Sequence, residues 1–599
     1  MTCRQGEIQS LMKFCGFKML FFTLLCSDSV FTLAQVDSAH WARALEFKAS
    51  HNWVAPLGLQ PLLSGNFGEL RGHHFHTGVD LKTGGREGVP VHAATDGWVA
   101  RLKMSPWGYG NAVYLEGPDG ITTVYAHLQR FTPDLQAWAI DHTYLGRTMG
   151  MDAAPPRDLG FHFRAGDTLG WSGNSGGSGG PHLHFELRDT PTQHPLNPLD
   201  GWLEKSDRRP PTLRSIWLES TDAMTQVLLP TSDTMRIPQQ VRFSVEAFDL
   251  LDGASNVCGI KSLEARMLDS DLHELWRHRF ALNALDFGVN KDMNAHAFYP
   301  VWSSERDQVH RLHRLATNRL PIYETPVRAG WNALPEGETV TLEITAKDAA
   351  GHATIETCHF HVLERDVPVP DWQPIGLRTE AKLTINPSYA GKGQLDGATL
   401  SWPAQTCFEL TDISFQKVGE GWSGSISPTD VPFRQDIALI WPIPMAAAQW
   451  EGGFQVTPSE PFLQDRWVAA LQDRDGWGEV VVAEVKEKTW HFAVGKGGTW
   501  SMLRDTLPPV VMPYHSGSPL VKESGDAVWF VDDALSGIDE LTLTIDGEWA
   551  RLVWDPKRNM ATYECSDARH DLQSRSLLKL EVTDQVGNVG VWEGSIAWP

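Results

Sequence analysis

Period-two alternation of apolar and polar residues is the pattern that most constrains this chain. It runs through Val241-Arg242-Phe243-Ser244-Val245-Glu246-Ala247-Phe248 and again through Thr339-Val340-Thr341-Leu342-Glu343-Ile344-Thr345-Ala346. A strand sends successive side chains to opposite faces, so such stretches predict strands with one buried face. Long periodic stretches of Ala, Leu, Glu and Lys are scarce, while 53 Gly and 37 Pro punctuate the chain with turns. Apolar residues make up 42%, with 25 Trp and 25 Phe, which is far more buriable surface than a disordered chain carries. The expected fold class is mainly β.

A length of 599 residues exceeds what one core serves, since cores stop growing at roughly 250 to 300 residues. Gly-centred turns run to about Arg188, and Asp207-Arg208-Arg209-Pro210-Pro211 reads as a linker whose style returns at Asp505-Thr506-Leu507-Pro508-Pro509. A weak internal repeat pairs Leu342 to His352 with Leu580 to Asn588, each a strand, an acidic residue and a Gly turn. A second echo pairs the Asp249 to Ile260 region with Asp532 to Asp539. Two copies of one β-sandwich module explain both, and they resemble immunoglobulin-like modules. The expected division is a leader at 1–34, a first domain at 50–206, a β-sandwich at 210–366, a further β-rich domain at 367–504 and a second sandwich at 505–599.

The formal net charge of −23, without any Lys/Arg cluster, excludes a protein that grips nucleic acid through its phosphates. Lys13 and Lys18 precede an apolar run from Met19 to Cys26, followed by Thr32-Leu33-Ala34. This reads as a secretion signal cleaved after Ala34, because the apolar run falls short of the roughly 20 residues that span a bilayer. No membrane span is expected in the mature chain, which leads to export into the periplasm, to the cell surface or into the medium. Cys258, Cys358, Cys407 and Cys565 remain after the leader, none with metal-knuckle spacing. Cys258 and Cys358 fit either a bridge or two buried thiols.

Chemistry concentrates in four segments of the first domain. They are Arg71-Gly72-His73-His74-Phe75-His76-Thr77-Gly78-Val79-Asp80-Leu81, Tyr125-Ala126-His127-Leu128, Ala165-Gly166-Asp167-Thr168-Leu169-Gly170-Trp171-Ser172-Gly173 and Gly179-Gly180-Pro181-His182-Leu183-His184-Phe185-Glu186. On a strand His182 and His184 share a face, about 6 to 7 Å apart. His76 and Asp80 lie four apart, which puts both on one face of a strand, with Gly78 giving room for a turn or a close approach. A catalytic zinc takes three N or O ligands and keeps one position open for water, and His76, Asp80 and His184 supply that count. His127 and His182 are then the candidate proton carriers. Taken alone, an H-x-H pair is usually an ordinary strand pair; the conjunction within about 110 residues is what carries the reading. His73, His74, His92 and His162 have no pattern and are expected on the surface or behind the ligands. The run Gly173 to Gly180 lacks the Gly-Lys-Ser/Thr ending of a phosphate loop and reads as a turn feeding the His182 strand.

In order and spacing these segments resemble the lysostaphin-type (LytM-like) peptidoglycan metalloendopeptidases, over about Asn52 to Asp189. The resemblance implies an open, mainly antiparallel β-sheet groove with one zinc ion held by His76, Asp80 and His184. It also implies that His182 and His127 orient or deprotonate the water and stabilise the tetrahedral intermediate, on a peptidoglycan peptide as substrate. Members that cut glycine bridges often carry a tyrosine shortly before the first ligand, where this chain has Glu69-Leu70-Arg71. Peptide cross-links of the Gram-negative type are therefore the preferred substrate, with Arg71 a candidate to hold a carboxylate or the oxyanion. Two other readings are a wall-binding or regulatory protein that keeps the fold without hydrolysis, and an adhesin whose sandwiches carry the function. Members without activity generally lose ligands, and this chain keeps the full set.

Overall fold

The computed structural model describes residues 53–598 apart from several stretches, the longest being 325–331, 365–372, 375–381 and 444–465. The expected leader and its three cysteines lie outside the described residues, as does His73. Among the described residues no helix is long and apolar enough to cross a membrane.

Strands dominate, as the alternation requires, and the elements that frame the candidate site belong to one eleven-stranded sheet. We label them β1 (Val79–Lys82), β2 (Gly97–Met104), β3 (Asn111–Glu116), β4 (Ile121–Phe131), β5 (Thr168–Ser172) and β6 (His182–Asp189). Their spatial order is β1, β6, β4, β3, β2, with β5 paired to the far end of β4. Every pairing among them is antiparallel. The central strands are closed to water: Val124, Tyr125, Ala126, Leu128, Leu183, Phe185 and Leu187 are all essentially buried. The segment from Arg130 to Arg164 forms helix α1 (Pro133–Gly146) and the short strands Met151–Ala153 and His162–Phe163, both paired to β2. Proline at its first turn and an Arg147 cap in the left-handed region bound that helix.

Among the described residues beyond about 210 every strand pairing but one is antiparallel; the exception sets Thr234–Ile237 parallel to Ala353–Val362. A seven-stranded and a five-stranded sheet face each other across Phe243, which meets Phe360 at 5.6 Å and Trp276 at 6.2 Å. A ten-stranded sheet follows and curls round a single core containing Trp441, Trp467, Trp490 and Trp500. Its two end strands approach so closely that a Cβ on Gly393 would stand 2.5 Å from Leu383. Two four-stranded sheets close over Trp529 and Tyr563 at the end of the chain.

The internal repeat is a shared turn. Asp348 Oδ1 accepts from the N–H groups of Gly351 and His352, and Asp584 Oδ1 from those of Val586 and Asn588. Each aspartate thereby closes the hairpin between its module's last two long strands. Cys258 and Cys358 are both buried free thiols.

Candidate metal centre

Antiparallel register brings two of the expected ligands together. His184 on β6 lies directly opposite Asp80 on β1, and His182 is two residues back on the same face of β6. His76 arrives differently from the expectation. It precedes β1 and shares no strand with Asp80; the chain turns through Thr77 and Gly78 between them. A Cβ on Gly78 would stand 2.4 Å from the Phe185 carbonyl oxygen, so only glycine lets this turn press against β6. The spacing of four is thus closed by a turn.

His127 is placed by a bulge. A register shift in the pairing with β3 leaves one extra residue of β4 near Ala126–His127, and His127 has φ of 59° in the left-handed region. A bulge re-aims a side chain that an unbroken strand would send elsewhere. The His127 ring meets those of His182 at 4.8 Å and His184 at 5.8 Å.

The hydrogen bonds round the cluster decide where the ring protons sit. His76 Nδ1 donates to the Asn66 carbonyl at 2.8 Å, His127 Nδ1 to the Ser175 carbonyl at 2.8 Å, and His182 Nδ1 to the Gly180 carbonyl at 2.8 Å. A carbonyl only accepts, so each of these rings carries its proton on the outer nitrogen and presents a bare Nε2 inward. His184 is turned round: its Nε2 donates to Glu186 Oε1 at 2.8 Å, leaving Nδ1 facing the centre. Glu186 is wholly buried and accepts from Thr77 and Tyr109, each at 2.6 Å, and from Arg188 at 2.6 Å. Burial raises its pKa, but the Arg188 charge and the bond from His184 carry it down to about 2.

Three acceptors therefore converge. His76 Nε2 is 3.0 Å from His184 Nδ1 and 3.1 Å from Asp80 Oδ1, and the last two atoms are 3.0 Å apart. His182 Nε2 lies 3.3 Å from the same Asp80 oxygen. Burial holds His76 down to about 4, so it is neutral at pH 7 and offers a lone pair. Burial works against charge on Asp80 as well, yet His76 and Arg71 hold it well below the usual carboxylate range. For His184, burial is outweighed by hydrogen bonds to Asp80 and Glu186, and its pKa is pushed up to about 9. The buried centre thus draws one positive charge into itself, a proton or a metal ion, and its two imidazoles and one carboxylate are the donor set that suits zinc. His76, Asp80 and His184 offer ligand atoms all within 4.8 Å of one another.

Arg71 sits behind the cluster. Its Nη2 donates to Asp80 Oδ2 at 2.6 Å and its Nε to Glu69 at 3.2 Å, so the carboxylates it holds are the protein's own. Asp80 consequently has one oxygen tied outward and the other aimed at the histidines. His74 is exposed, while His92 and His162 pair with Thr168 and Trp98 away from the cluster. Residue patterns alone do not reveal Asn66, Ser175 and Gly180, which act through their carbonyls. Glu186 stood in view at the end of the H-x-H segment, two residues past His184, and that same-face spacing was the available signal.

Residues 74–138 match the profile of Peptidase family M23. The DD-carboxypeptidase/endopeptidase Mpg of Neisseria meningitidis serogroup B is 32% identical over 162 residues, covering 26% of this chain and 30% of that protein. The glycyl-glycine endopeptidase ALE-1 of Staphylococcus capitis is 30% identical over 112 residues, covering 18% of this chain and 24% of that protein. Lysostaphin of Staphylococcus simulans is 30% identical over 112 residues, 18% of this chain and 17% of its own length. The similarity thus spans less than a third of each relative, and the profile match takes in His76, Asp80 and His127 and ends before His182 and His184. This chain contains a peptidase family M23 domain.

Proposed function

We propose that the protein is an exported zinc endopeptidase that hydrolyses peptide bonds in the stems or cross-links of bacterial peptidoglycan. One observation carries the reading: outward hydrogen bonds pin the ring protons so that His76, Asp80 and His184 turn bare acceptors onto one point. His76, Asp80 and His184 would hold the ion. Bound there, zinc supplies Lewis acidity to the scissile carbonyl and lowers the pKa of water in its open position. His127 and His182 have their Nδ1–H groups committed to carbonyls, so each keeps Nε2 to take a proton from the attacking water or give one to the leaving amine. Arg71 and Glu186 orient the ligands Asp80 and His184 from behind. Export is supported by the leader, and the peptide substrate by resemblance to the family. The Glu69-Leu70-Arg71 stretch, and greater similarity to the DD-carboxypeptidase/endopeptidase than to the staphylococcal enzymes, favour cross-links of the Gram-negative type.

The test is mass spectrometry of purified peptidoglycan digested by the full chain. The expected result is conversion of cross-linked dimers into monomers, with His182→Ala retaining the metal and losing turnover. Products cleaved in the glycan, or none, would overturn the reading.

A further inference from the structure

The segment Gly173–Pro181 between β5 and β6 carries the partners of both proton carriers. Ser175 gives its carbonyl to His127, and Gly180 gives its carbonyl and Ser178 its hydroxyl to His182, the last at 3.1 Å. On one side this loop presses against the turn before β3: a Cβ on Gly176 would stand 2.3 Å from the Gly110 nitrogen, and Gly177 N–H donates to the Gly108 carbonyl at 2.8 Å. On the other side it meets a residue nearly four hundred positions away. Lys557 Nζ donates to the Asn174 carbonyl and, at 3.1 Å, to the Ser178 carbonyl. Those two carbonyls bracket Ser175, so one ammonium ties the ends of the stretch that holds His127. Lys557 sits on the turn between Val553–Asp555 and Met560–Tyr563 of the last sandwich.

The turn does not reach across by a single contact. Arg569 of the same module pairs with Asp141 on α1, Tyr144 meets Trp549 edge-on at 5.3 Å, and Met149 packs against the module's own hydrophobic core. The module is docked on the peptidase domain through α1 and the loop after it, which gives the Lys557 turn a defined position.

We propose that Lys557 is a positioning residue for the hydrolytic reaction, so that the terminal β-sandwich completes the active site by holding the loop that aims His127 and His182. This rests on the reading of the cluster as a hydrolytic zinc centre. The metal ligands have their outer partners elsewhere, on Asn66, Arg71 and Glu186, so the loop serves turnover and not metal retention. Small misplacements of proton-transfer groups cost rate steeply, because those groups must lie within hydrogen-bond reach of the reacting atoms.

The experiment compares the full chain with Lys557→Ala and Lys557→Arg on a soluble cross-linked muropeptide, reading kcat and KM separately, together with zinc content and thermal midpoint. Lys557→Ala is expected to lower kcat about tenfold with KM, zinc content and midpoint unchanged. Lys557→Arg, whose guanidinium also donates to two carbonyls, is expected to restore most of the loss. A wild-type or raised kcat in Lys557→Ala would overturn the positioning role while leaving the peptidase reading intact, as would a loss accompanied by loss of zinc. No peptide release by the unaltered chain would sink the peptidase reading and the positioning role together.

Discussion

At the scale of single residues, the cluster is governed by what stands behind each imidazole. Glu186 both fixes the His184 tautomer and brings a buried negative charge against that ring, which raises its basicity toward an ion. Glu186→Gln is expected to weaken zinc binding about 10- to 100-fold, measured by competition with a chelator, with the far-ultraviolet spectrum unchanged. An unaltered affinity would show that the carboxylate does not tune the site. The five residues of the cluster were legible because imidazole and carboxylate are rare enough, in these spacings, to stand out. Their supports were not: a backbone carbonyl such as that of Asn66 or Ser175 carries no side-chain signature. Arg71 was visible as a charge near the ligands, but only the fold reveals that its target is Asp80.

Among elements, strands were legible wherever one face meets water, as along Thr339–Lys347, whose burial alternates residue by residue. The pattern failed where burial is complete or slight. Along β4 the first six residues are all buried, so alternation vanishes, and the bulge that aims His127 left no trace in the sequence. Helix α1 buries only Leu135, Ala139 and Thr143, too narrow a stripe to mark a helix by its periodicity. Beside the peptidase domain, His278 on Glu274–Ala281 and His310 on Val309–Arg311 are buried, and burial pushes each down to about 4, with the Arg314 charge assisting at His278. The unfolded chain takes up these protons below its ordinary value of 6.5, while the folded one refuses them until about 4. Stability is therefore fully present above that window and falls as pH drops through it. Each histidine costs up to about 1.4 kcal/mol per pH unit, so the pair costs about 3 kcal/mol per unit. The urea midpoint is expected to fall between about pH 6.5 and about pH 5, less steeply in His278→Leu. A midpoint independent of pH across that range would contradict the assignment.

For the whole molecule, the peptidase sheet is a minority of the chain, and the β modules pack on it from two sides. Asn66, whose carbonyl holds His76, also exchanges two hydrogen bonds with Gly259, and Leu70 exchanges two with the Gln308 side chain. The first sandwich therefore supports the His76 side of the cluster, and the last sandwich the loop whose carbonyls meet His127 and His182. Length and linkers suggested separate domains, but sequence holds no record of docking, because the contacts join residues hundreds of positions apart. These layers are expected to converge on one metal ion. Anomalous diffraction at the zinc absorption edge from crystals of the full chain tests it most directly. A single strong peak is expected in contact with His76 Nε2, Asp80 Oδ1 and His184 Nδ1. A zinc-loaded protein with no peak there, or with its peak on other residues, would contradict it.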